Sequence, residues 1–292
     1  MDTTTSSGRR RLPVAIATAL AAAAVAVAAL TAAPAPAGAT QRPPADPAGA
    51  FLFRDGRFTP LGRIPGAALA AHVAINNRGQ TAGFYLDAGV TPDPNGGAPP
   101  GSIHGFIKDR RGRLTSFDVP GAGATLVVGS NDRGQVAGTW FEGGYPHAAP
   151  GSSHGFVRHP DGAITTIDLP GATDTAITDI NNRGQVAGQY DDNGVGGNEP
   201  NSRHGFVWDR GRLTRFDVPG SLSTGALGIN NLGQIAGSYA DAAGRQRGFV
   251  LRRGRYTTID APGRAATDAW GINDLGEVVV PDVGTGLLPV TR

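Results

Sequence analysis

Residues 204–220 read HGFVWDRGRLTRFDVPG, and residues 226–239 read ALGINNLGQIAGSY. Each is a hairpin pattern: two β-favouring runs joined by a short turn that contains Gly. In the second, the turn is NNLG. Its leading Asn side chain can bond the turn backbone, and its closing Gly tolerates positive φ. In the first, Asp209, Arg210, Gly211 and Arg212 join GFV to the next strand. Pro219-Gly220 follows as a type II turn, with Pro setting φ and Gly taking the positive-φ site.

Working outward, the two patterns alternate along the chain, five times each. Phe51, Phe106, Phe156, Phe206 and Phe249 hold one place in the first. Asn76, Asn131, Asn181, Asn230 and Asn273 lead the turn of the second. The Phe residues stand 55, 50, 50 and 43 residues apart, a period the size of a propeller blade. Two hairpins per period make four strands, as in such a blade. We letter them a (ALGIN, TDIN), b (QVAGxY), c (HGFV) and d (TTID). Strand a, with its small residues, suits a crowded centre. The repeats then open on a c–d hairpin near Phe51 and close on an a–b hairpin near Asn273. Together these complete one blade and hide two sheet edges. The sequence thus predicts an all-β, five-bladed β-propeller of four-stranded blades over residues 50–285, its ring closed by those two hairpins. The rival is an open stack of hairpins, which needs capping elements that the sequence does not offer.

Composition agrees. Gly 45 and Pro 22 make up nearly a quarter of the 292 residues, which disfavours long helices. Hydrophobics at 39% and aromatics at 7% supply a core. There is no Cys, which excludes disulfides, Cys zinc sites and thiol catalysis.

Residues 1–39 read as an export signal: Arg9, Arg10 and Arg11, then an uncharged Ala/Val run from Val14 to Leu30, then Ala37-Gly38-Ala39 as the cleavage site. Thr40 is the expected mature start. The Arg pair points to twin-arginine export, with ordinary secretory export as the alternative. An uncleaved membrane anchor is the rival reading. Residues 40–49 form a Pro-rich linker and residues 286–292 a tail. Residues 1–39 hold three of the 26 basic residues and one of the 24 acidic ones, so the remainder carries 23 of each. It has one Lys, no basic run and scattered Arg, so no nucleic-acid partner is expected. No membrane contact after cleavage is expected either, and the secreted protein is expected to be a monomer.

The motifs HGF, IDxPG, GIN and GQVAGxY resemble the HAF-type repeats of probable extracellular bacterial proteins. The resemblance spans about residues 50–280. It implies a secreted, all-β repeat protein of propeller-like type, and carries no activity or substrate. The chain departs from the pattern where Gly49 and Arg247 replace the leading His of His104, His154 and His204. It departs again where Arg63 replaces the Asp of Asp118, Asp168, Asp217 and Asp260.

Three His residues 50 apart suggest metal, but equivalent positions converge only near an axis. A loop-holding role is the expectation, with no metal and no cofactor. Paired carboxylates on central strands would mark a glycosidase. The a strands offer Asp179, with Asp174 and Asp268 nearby, and there are three Glu in all (Glu142, Glu199, Glu277). No G-x-S-x-G, H-E-x-x-H or phosphate loop occurs. The length variation lies in the b–c loops, which should share one face. Before each stands an aromatic: Tyr85, Trp140, Tyr190 and Tyr239, with Asp282 in the fifth repeat. Packing between blades is one reading of them; a ligand platform is the other. The expected function is that of a secreted, non-enzymatic scaffold for a ligand or partner, a polysaccharide or a surface protein. The alternatives are an extracellular glycosidase or lyase acting at the ring centre, and a purely structural surface protein.

Overall fold

The computed structural model describes residues 50–54, 57–92, 97–145, 151–192 and 202–281. The export signal, the linker, the tail and Asp282 lie outside them, as do parts of three b–c loops. Every regular element among the described residues is a strand. The first hairpin is β1 (Phe51–Arg54) with β2 (Arg57–Pro60). Four four-stranded units follow. They are β3 (Ala67–Ile75), β4 (Thr81–Asp87), β5 (Ile103–Lys108) and β6 (Leu114–Phe117); then β7 (Ala124–Ser130), β8 (Val136–Phe141), β9 (Ser153–Arg158) and β10 (Ile164–Ile167). The third holds β11 (Asp174–Ile180), β12 (Val186–Asp191), β13 (Arg203–Asp209) and β14 (Arg212–Phe216). The fourth holds β15 (Ser223–Ile229), β16 (Ile235–Ala240), β17 (Gln246–Arg252) and β18 (Arg255–Ile259). The last hairpin is β19 (Gly271–Ile272) with β20 (Val278–Val279).

Each unit is an antiparallel meander in the order a–b–c–d. One parallel contact, Ile103 with Ala124, links the first two units into a single sheet. The terminal hairpins β1–β2 and β19–β20 form separate two-stranded sheets, and no ladder joins them among the described residues.

The turns form as their residues dictate. Gly79, Gly134, Gly184, Gly233 and Gly276 all have φ between +74° and +84°, a region that side chains disfavour. Each turn's leading Asn accepts two backbone N–H bonds on its Oδ1; for Asn181 these come from Arg183 and Gln185, both at 3.0 Å. After strand d, the Val119 carbonyl accepts the Ala122 N–H across Pro120-Gly121 at 2.9 Å, as a type II turn requires.

The Gly of QVAGxY has a different cause. Strand a bulges opposite it, between Ile177 and Asp179 in the third unit. A Cβ on Gly188 would run into the Ala176 carbonyl and the Phe206 ring. The core lies between successive sheets. Ala137, Val157, Ile167 and Leu169 of the second unit pack against Ile177, Ile180, Val186 and Phe206 of the third. Phe106, Phe156, Phe206 and Phe249 are fully buried.

Candidate functional site

The b–c loops and the turns after strand d lie at one end of each meander, because alternate connections of an antiparallel sheet fall at opposite ends. The four aromatics stand at this end, one residue from the end of strand b for Trp140, Tyr190 and Tyr239 and two for Tyr85. Each faces the first or second residue of strand c across the ladder. The pairs are Tyr85 with His104, Trp140 with His154, Tyr190 with His204 and Tyr239 with Arg247.

In each unit a His or Arg side chain lies between two carboxylates. His104 Nδ1 lies 2.9 Å from Asp118, and Nε2 lies 3.2 Å from Asp87. His154 lies 2.7 Å from Asp168 and 3.5 Å from Glu142. His204 lies 2.8 Å from Asp217 and 3.2 Å from Asp192. Arg247 bonds Asp241 at 2.8 Å and also Asp260. The His or Arg thus ties the b–c loop to the turn after strand d, Arg247 standing where the other units have His. Partial burial opposes the charge of His104, but its bonds to Asp118 and Asp87 outweigh that and raise its pKa. The hydrogen bond from Arg247 holds Asp241 well below the usual carboxylate range.

The rings pack on these side chains. Trp140 stacks on His154 with centroids 4.3 Å apart. Tyr85 and Tyr190 lie 5.1 and 5.2 Å from their His partners. Behind them, Phe106 and Phe206 back the two Tyr rings. Tyr85 and Tyr239 bond Ser116 and Thr258 of strand d through their hydroxyls. Tyr85, Trp140 and Tyr239 are half-buried, whereas Tyr190 is 6% exposed.

The carboxylates considered for catalysis are placed differently. Asp179 accepts the Ile180 N–H on one oxygen and the Ile229 N–H on the other, at 2.8 and 2.9 Å, so it stitches two sheets. Asp174 and Asp191 are cross-strand neighbours. Burial pushes the Asp191 carboxyl up to about 6, with Arg203 at 3.8 Å opposing it. Asp174 is raised by burial too and accepts the Ser153 hydroxyl at 3.0 Å. No cluster of three or more His, Asp or Glu suited to a metal occurs among the described residues.

At the other end the five Asn turns meet. The side-chain amide of each leading Asn donates to the carbonyl of the next repeat's Asn. Asn76 donates to Asn131, Asn131 to Asn181 and Asn181 to Asn230 at 3.0 Å, and Asn230 donates to Asn273 at 2.8 Å. The second turn residues make a parallel chain. Asn77 N–H bonds Asp132, Asp132 N–H bonds Asn182, Asn182 N–H bonds Asn231, and Asn231 N–H bonds Asp274, at 2.7–2.8 Å. These turns surround a cavity of about 420 Å³ floored by Ile75, Ser130, Ile180, Ile229 and Ile272. Local reading of the sequence treats each Asn as a turn former only. The signal it passes over is that the second turn residue is always Asn or Asp.

No family model matches this sequence, and no curated protein matches it. Among solved structures, the chain is similar to an arginine-to-alanine triple mutant of AofleA from Arthrobotrys oligospora. The identity is 16%, the match covers 76% of this chain and 67% of that one, and the TM-score is 0.41.

Proposed function

We propose that the protein is a secreted, non-enzymatic binding scaffold, built as a five-bladed β-propeller, that takes a hydroxyl-rich polymer at its b–c end. One observation carries this reading: the same cluster of an aromatic ring, a His or Arg and two carboxylates recurs at one position in four successive units. Carboxylates and imidazoles accept and donate to sugar hydroxyls, and the half-exposed ring edges cover the apolar part of a sugar. Repetition lets modest sites act together on a polysaccharide. The propeller part rests on the five Asn turns, the first and last of which line one cavity. The rival reading, a glycosidase or lyase, loses support from Asp179, whose two oxygens are both taken by backbone N–H groups.

The test is affinity electrophoresis of the protein in gels containing soluble polysaccharides. Retardation should fall stepwise in Tyr85→Ala, Trp140→Ala and Tyr239→Ala, and each variant should keep its unfolding midpoint near that of the parent. Tyr190→Ala, at a buried ring, should act on stability instead. Variants that remain folded and are retarded as strongly as the parent would overturn the reading, and so would no retardation by any polysaccharide.

A further inference from the structure

The topology separates charge in a way composition conceals. In every unit the a–b turn and the c–d turn lie at the same end of the meander, and the Asn ladder brings the a–b turns of all five repeats together. The c–d turns there carry Arg110, Arg111 and Arg113 in the first unit and Arg210 and Arg212 in the third. The fourth adds Arg252, Arg253 and Arg255, and the a–b turns add Arg78, Arg133 and Arg183. All eleven are exposed, against six carboxylates at that end among the described residues. All six are already engaged: Asp109 and Asp161 accept N–H groups of their own turns, Asp132 and Asp274 are held by Asn side chains of neighbouring repeats, and Asp209 and Glu277 accept from Gln185 and Asn273. Arg113 and Arg210 pair with Asp109 and Asp209, which leaves nine arginines in no ion pair with a described carboxylate of that end. The b–c end reverses the balance, with eleven carboxylates and six arginines among the described residues. Eleven of the arginines that look scattered in sequence thus gather at one end.

Two apolar side chains break the pattern on that face. The third turn residue is Arg78, Arg133 and Arg183 in three repeats, but Leu232 and Leu275 in the last two. These leucines are 62% and 85% exposed, at the tips of adjacent turns. Arg252 lies beside the second of them, its guanidinium bonded to the Gly276 carbonyl at 2.8 Å.

We propose that this end of the molecule docks on an anionic lipid surface, with the arginines on lipid phosphates and Leu232 and Leu275 entering the headgroup layer. Arginine's planar fork matches phosphate oxygens in pairs. Basic residues near an anionic bilayer attract it additively, and apolar tips anchor it. A soluble polyanion would make equal use of the arginines but none of the leucines. The inference stands apart from the saccharide reading, since it concerns the opposite end.

Vesicle sedimentation tests it, using the full chain so that every variant shares one N-terminal segment. Vesicles of phosphatidylcholine alone are compared with vesicles that also contain phosphatidylglycerol, at low and at physiological salt. R110Q/R111Q should lower binding to anionic vesicles about twenty-fivefold, at roughly fivefold per arginine. R245Q/R264Q, the same charge change at the b–c end, should leave it within about twofold, because screening confines surface charge effects to about 10 Å. L232R/L275R keeps a turn that three repeats already carry, yet should bind less despite two added charges. Equal losses in the two Arg-to-Gln doubles would overturn the proposal. So would tighter vesicle binding by L232R/L275R, which would assign the face to soluble polyanions such as dextran sulfate.

Discussion

Gly188 and His104 mark two different reasons for a residue to recur. Gly188 is fixed by space: the bulged a strand leaves no room for a Cβ. We expect Gly188→Ala to cost about 1–3 kcal/mol or more, read by urea unfolding, while Gly171→Ala acts through φ alone because nothing crowds that site. The sequence showed the first Gly but gave no cause for it, since a bulge in a partner strand leaves no local mark. His104 is fixed by charge. Its folded pKa is raised above the ordinary 6.5. Its contribution is therefore fully present below pH 6.5 and is lost as pH rises through the folded value. His72 has the opposite sign. Burial lowers it to about 4, and the Lys108 charge adds to this. The unfolded chain binds the extra proton between pH 6.5 and 4, so His72 weakens the fold as pH falls through that window. Urea midpoints measured across that range should fall less steeply in His72→Gln than in the parent, and an unchanged slope would remove His72 as the cause.

Among the elements, the hairpins were legible because each turn carries its own chemistry: Asn to cap, Gly for positive φ, Pro-Gly for type II. Strand boundaries followed from those turns. What was not legible is that the Asn of one turn also holds the next repeat 43–55 residues away. That bond belongs to packing, and period alone does not reveal it. Asn181 accepts two N–H bonds within its turn and donates to Gln185 and to the Asn230 carbonyl. We expect Asn181→Ala to cost about 4 kcal/mol, at roughly 1 kcal/mol for each of the four hydrogen bonds lost. Asn181→Asp keeps the two accepted bonds and loses both donations. It should fall between the parent and Asn181→Ala in thermal unfolding. If instead it matches the parent, the bond between repeats contributes nothing.

For the whole molecule, the open question is the seam between the last and first repeats. Four rungs of each Asn ladder are made. The fifth would join Asp274 N–H to the Asn77 side-chain oxygen and the Asn273 amide to the Asn76 carbonyl, and those groups have no such partner among the described residues. Both sides of the seam nevertheless line one cavity. The donor left over at one end is of the kind the acceptor at the other end lacks, as in a ring one step short of closing. The terminal hairpins also have the complementary halves a–b and c–d, each with an unpaired edge. If they close as one blade, the order in which the chain enters the ring should not matter. We therefore expect a circular permutant, with residues 50–64 moved by a short Gly/Ser linker to follow residue 281, to fold. Its melting point should equal or exceed that of the parent, because a covalent link replaces the loss of chain freedom on pairing the two hairpins. In an open stack, the same transfer would strip the first unit of its neighbour β1–β2 and return nothing. A permutant that melts lower than the parent, or that aggregates through free edges, would therefore decide for the open stack.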